Sequence, residues 1–296
     1  MFKPTLFSAA FAAVTALAVF SNPVVAAESL KLQVYNPGEQ SLFPVSSELV
    51  TGATEAVLID AQFQSNDAQA LVAMIKASGK RLTSIYISHS DPDSYFGLDV
   101  LQAAFPQAKI VATAPTIAAI KANKDAKLAY WGPILKANAP KKLLVPELLQ
   151  GNQLSVDGQP LEVQGLHGAA SEHSYVWIPS LKAVVGGVLV YGNMHLWTAD
   201  AQTPLARVDW QQSLQQIQAL KPQTVVPGHY LAGASMTLSS VSFTADYLKV
   251  LETELPKARN SGELVKAMVK QYPQLTGTAD LELSAKVLKG EMQWPQ

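Results

Sequence analysis

The chain contains no cysteine. That excludes disulfides, thiol redox chemistry, thiolate metal ligation and a lipoprotein anchor, which needs a Cys at its cleavage point. Charge is sparse as well, at 15% of residues, and it is balanced: 22 Lys and Arg against 23 Asp and Glu. No basic run occurs, and no interleaving of basic with aromatic residues, so nucleic acid is not an expected partner. There is no Gly-x-Ser-x-Gly elbow for a serine hydrolase, and Gly186-Gly187 is too short for a phosphate or dinucleotide loop. Asp91 and Asp93 share one loop, so they cannot flank a sugar as a glycosidase pair does.

The apolar run from Leu6 to Phe20 falls short of the roughly 20 residues that a membrane-spanning helix needs. Lys3 precedes it, and Pro23 followed by the small residues to Ala27 succeeds it, which is the pattern of a cleavable export signal over 1–27. The expected mature chain is periplasmic or secreted, without stable membrane insertion. Loss of Lys3 takes its net charge from −1 to −2. A small-molecule substrate or ligand is the expected partner.

What is present is an alternation of strand-like and helix-like segments. Leu30 to Tyr35 alternates apolar with polar residues, as a half-buried strand does, and Ala56 to Ile59 is a short apolar strand ending at Asp60. A helix capped by Asn66 is expected to run to Ser78 with Leu71, Val72 and Ile75 on one face, closed by Gly79. Ser84 to Ile87, Leu98 to Phe105 and Lys109 to Thr113 continue the strand, helix, strand order of an α/β protein. A mostly helical stretch from Pro115 to Ala137 precedes short β segments between Lys142 and Val188, the last of them Ala183 to Val188, with a turn at Asp157-Gly158. An amphipathic helix over Asp209 to Leu220 and a strand over Thr224 to Val226 follow. The expected organisation is a main domain over 28–238 and a helical C-terminal extension over 239–296.

Ile87-Ser88-His89-Ser90-Asp91-Pro92-Asp93-Ser94-Tyr95-Phe96-Gly97 lies where a strand gives way to a helix, so its side chains converge beyond the sheet edge, where such sheets hold ligands. One His and two Asp at alternate positions suit a cation such as zinc. A polar loop whose carboxylates cap the following helix is the plainer alternative. Together with the strand ending in Asp60 and the late Val226-Pro227-Gly228-His229, this stretch resembles the metallo-β-lactamase fold superfamily over roughly Leu30 to Ala234.

The resemblance implies an αββα sandwich with a metal site at one rim. The family loop reads His-x-His-x-Asp-His, and a later His, an Asp after a Gly and a last His complete two metal sites. Here His89, Asp93 and His229 match, Asp91 replaces the second His, and Ser94 replaces the last His of the loop. Ala169 falls at the mid-chain His position, flanked by His167 and His173, and Val188 stands at the bridging Asp. A single zinc ion on His89, Asp91, Asp93 and His229 is therefore expected, with Asp93 orienting a metal-bound water against an ester, lactone, amide or similar bond. The alternative is a metal-free relative that keeps the fold to bind a ligand or partner. Asp60 is expected to orient the site from beneath or to be a satisfied buried carboxylate. His195 is expected near the same rim, either as a substrate contact or as a hydrogen-bonded loop residue, and Tyr95, Phe96 and Trp197 as pocket lining or core.

Overall fold

The computed structural model describes residues 1–2, 29–166 and 173–294. The segment expected to be a signal lies almost entirely outside these residues, as do His167 and Ala169. Among the described residues no helix is long and apolar enough to cross a membrane.

Two main sheets face each other. The first contains β1 (Lys31–Tyr35), β2 (Ser47–Thr51), β3 (Glu55–Ile59), β4 (Arg81–Ile87), β5 (Lys109–Ala112) and β6 (Glu147–Leu148) in that spatial order. Its first three strands are antiparallel, and β3 to β6 run parallel. The second contains β7 (Gln153–Val156), β8 (Gln159–Gln164), β9 (Tyr175–Ile178) and β10 (Ala183–Val185) as an antiparallel run, then β11 (Tyr191–Gly192) leaves it and β12 (Thr224–Val225) joins beside β10. β11 pairs instead with β13 (His229–Tyr230).

Period-two alternation sets the layers. Within β3, Val57 and Ile59 pack between the sheets against Val156, Val163, Val176 and Val185. Ala56 and Leu58 point the other way, onto α1 (Ser65–Ser78) through Leu71 and Ile75. The same outer layer holds α2 (Pro92–Tyr95), α3 (Leu98–Ala104) and α4 (Ala114–Leu135). On the far side of the second sheet, α5 (Pro204–Ala219), α6 (Leu238–Glu254), α7 (Ser261–Gln271) and α8 (Thr278–Leu288) bury Trp210, Tyr247, Leu248, Met268 and Leu281 against Val184 and Val225. The result is the expected αββα sandwich, and its C-terminal helices share one apolar cluster with the sheet.

Local chemistry explains the departures from expectation. Asn66 does not cap α1: the helix starts at Ser65, and Asn66 donates to Asp67 Oδ1 at 3.2 Å. The strand expected to reach Val188 stops at Val185, because Gly186 and Gly187 take φ of +71° and +76°, which no ladder accommodates. α5 begins five residues before the expected Asp209, at Pro204, where Thr203 accepts the Ala206 N–H at 3.1 Å.

Candidate functional site

The site is assembled around Ser88, just beyond the end of β4. Asp60, at the end of β3, accepts the Ser88 N–H at 2.8 Å and the Ser88 hydroxyl at 2.5 Å. That hydroxyl accepts the Gly187 N–H at 2.8 Å, and the Ser88 carbonyl accepts from the Ser174 hydroxyl at 2.7 Å. One residue thus binds the ends of three strands together. The packing is tight: a Cβ on Gly228 would collide with the Gly187 carbonyl oxygen, so only glycine fits there. Asp60 is therefore a satisfied buried carboxylate that fixes the strand end carrying His89. Burial pushes its carboxyl up to about 7, against the pull of its hydrogen bonds to Ser88.

Above Ser88 lies a cavity of about 180 Å³ that takes in all four expected ligands, His89, Asp91, Asp93 and His229. They form pairs. His229, opposite Tyr191 in the β11–β13 ladder and stacked on its ring at 5.2 Å, places Nε2 3.0 Å from Asp93 Oδ2. Burial is the largest influence on the His229 imidazole and would lower its pKa, but the bond to Asp93 and the charges of Asp93, Asp280 and Asp91 together raise it. Asp93 Oδ1 is buried and has no hydrogen-bond partner.

Asp91 is bonded to the ammonium of Lys127, which α4 brings into the same cavity. Burial opposes the Asp91 charge, yet Lys127 prevails and holds the carboxyl well below the usual carboxylate range. The other Asp91 oxygen lies 3.6 Å from His89 Nδ1, which accepts the Asp91 N–H at 3.2 Å. The His173 ring is 4.2 Å from that of His89. Burial, then His173, push the His89 imidazole down to about 3, so it is neutral.

Other expected positions fall as follows. His195 is fully buried outside the cavity, with Nδ1 2.9 Å from the Tyr247 hydroxyl, so the loop-residue alternative describes it. Tyr95 and Phe96 are core, whereas Trp197 and Val188 line the cavity. Contributors that sequence reasoning missed include Phe43, Lys127, Trp131, Asp200, Asp280 and Trp294. Only Lys127 and Trp131 left a trace, lying four residues apart and so on one face of α4.

The two-ion site of the resembled family does not fit these residues. Val188 cannot bridge ions, Ser94 and Ala169 replace imidazoles, Asp91 is neutralised by Lys127, and Asp93 is spent on His229. Among the described residues no three His, Asp or Glu side chains stand where one ion could be held.

A cavity at the rim of an αββα sandwich, opening beyond the ends of β3 and β4 and at the start of β13, defines a class of protein. The family model of the metallo-β-lactamase superfamily matches residues 41–229, and the chain belongs to that superfamily. Among solved structures, the chain is similar to a metallo-β-lactamase family protein from Thermus thermophilus, with a TM-score of 0.59 and 18% identity over 87% of this chain and 93% of that one. It is similar to a metallo-β-lactamase from Pontibacter korlensis, with a TM-score of 0.56 and 20% identity over 75% and 95%. The DIM-1 metallo-β-lactamase gives 0.55 and 20% over 75% and 98%. At these identities the likeness is one of fold. No curated protein matches the chain.

Proposed function

We propose that this chain is a metal-free member of its superfamily that uses the rim cavity to bind a small molecule. The observation that carries the proposal is the bond between Lys127 and Asp91. A tethered ammonium supplies at the cavity floor the positive charge that a metal ion supplies elsewhere in the fold, and it occupies the carboxylate that a first ion would use. The aromatic lining supports small-molecule binding: Trp131, Trp197, Trp210 and Trp294, four of the five tryptophans, face the cavity.

Metal-dependent hydrolysis by one zinc ion on His89, Asp91, Asp93 and His229 is the second reading. The unpartnered Asp93 Oδ1 and the neutral His89 favour it, and it requires Lys127 to withdraw from Asp91.

Elemental analysis after incubation with zinc and desalting separates the two. Retention far below one equivalent is expected for the parent chain. One equivalent in the parent, lost in His229→Ala, would overturn the metal-free proposal and point to hydrolase substrates.

A further inference from the structure

Phe43, Trp131, Trp294 and Trp197 close a ring of edge-on contacts at the cavity. Phe43 and Trp131 lie 5.3 Å apart at 82°, Trp131 and Trp294 6.4 Å at 70°, Trp294 and Trp197 5.3 Å at 73°, and Trp197 and Phe43 6.2 Å at 77°. Each is half-buried and each lines the cavity, so the four rings form a collar in its wall. A cation at the middle of a collar this size lies within the roughly 6 Å of a ring centroid over which an aromatic face attracts positive charge.

The charges inside agree. Asp200 accepts from Trp197 Nε1 at 2.5 Å and from Trp294 Nε1 at 2.9 Å, which fixes a carboxylate against two walls of the collar. Asp280 lines the same cavity, and among the described residues no lysine or arginine forms an ion pair with either. Lys127 is bonded to Asp91 and His229 to Asp93, so Asp200 and Asp280 feel these cations only across the cavity; burial raises both carboxyls to about 6, and they carry their negative charge above that pH. Deeper in, Asp93 Oδ1 is unpartnered on a residue only 7% exposed, so the floor offers an acceptor and no charge that would repel a cation beyond Lys127 and His229, both already paired.

We propose that the molecule this cavity takes is an organic ammonium ion with a small apolar or aromatic body, its charged head within the collar of Phe43, Trp131, Trp197 and Trp294 and against Asp200 and Asp280. This rests on the ligand-binding proposal above and names the ligand class.

The collar supplies its own readout, tryptophan fluorescence. The full chain is titrated with benzyltrimethylammonium, with its uncharged carbon isostere neopentylbenzene, and with the anion phenylmethanesulfonate. The ammonium is expected to bind at least about tenfold more tightly than either, a cation–π and charge increment of ordinary size. Asp280→Asn is expected to weaken the ammonium several-fold more than it weakens neopentylbenzene, whose continued binding also shows that the variant keeps a folded cavity. Asp200→Asn sets an amide N–H against one of the two indole N–H groups and is expected to weaken both ligands. Equal affinity for the ammonium and neopentylbenzene, or preference for the sulfonate, overturns the ammonium class and leaves ligand binding standing. If none of the three binds while the parent retains zinc, both proposals fall.

Discussion

Asp60 and Ser88 are joined twice, through the Ser88 N–H at 2.8 Å and the Ser88 hydroxyl at 2.5 Å, and both residues are buried. Because the same hydroxyl accepts the Gly187 N–H, its loss leaves a buried carboxylate oxygen and a buried amide short of a partner. Ser88→Ala is expected to destabilise the fold by about 1–3 kcal/mol, the usual cost of stranding buried polar groups. Denaturant unfolding measures this, and midpoints equal to those of the parent would show that the Ser88 hub does not hold the strand ends.

Stability should fall as the medium turns alkaline. Burial pushes the Glu48 carboxyl up to about 8, with Asp60 adding to the rise, and burial pushes Asp60 itself up to about 7. Folded-state values above the unfolded ones mean that the folded chain keeps protons that the unfolded chain has released. The penalty is absent below about pH 4, grows as pH rises through the window, and is full above about pH 8. Stability should therefore decline between about pH 5 and 8.5 by roughly a few kcal/mol, read as a falling melting temperature. Glu48→Gln should flatten the decline; an unchanged slope would show that Glu48 does not titrate in this range.

Lys127→Met keeps the apolar stem and deletes the ammonium, which frees Asp91 beside His89 and His173. As they stand the three do not converge on one point, but two imidazoles and a carboxylate form a recognised zinc ligand set once Asp91, released from Lys127, turns toward the two rings. The variant is expected to retain more zinc than the parent after desalting, up to one equivalent, and to melt higher with zinc than without it. Zinc uptake no different from that of the parent would show that Lys127 is not what keeps an ion out.

Much of the architecture was legible because period-two alternation and strand-to-helix breaks are local. Ala56 to Ile59, the His89 loop and His229 all lie where those patterns place them. β2 escaped because its five buried residues include Ser47, Glu48 and Thr51, which read as surface. Every expected site residue lies within 28–238, yet Asp280 and Trp294 come to the cavity from the C-terminal helices and tail. Nothing local marks them, since they meet the cavity only through packing across the second sheet. His173 reached His89 because Ser174 is bonded to Ser88, a contact between residues far apart in the chain.

Trp294 is the part of the collar most easily removed. It sits beyond α8, held by Asp200 at its ring nitrogen and by Gln202 Nε2 at its carbonyl, 2.8 Å away, and it packs on Trp131, Trp197 and Tyr130. The three core clusters do not include it, so its loss should spare the fold. It contributes two of the four collar contacts, so the cavity wall should open and lose one aromatic face. Trp294→Ala is expected to keep a cooperative melt within a few degrees of the parent and to weaken benzyltrimethylammonium by about tenfold, the scale of one desolvated cation–π contact. Trp294→Phe should recover most of that affinity because it restores a ring without the indole N–H. Should Trp294→Ala bind as tightly as the parent, the tail does not wall the cavity. A collapse of the melt would instead mean that the tail belongs to the folding core.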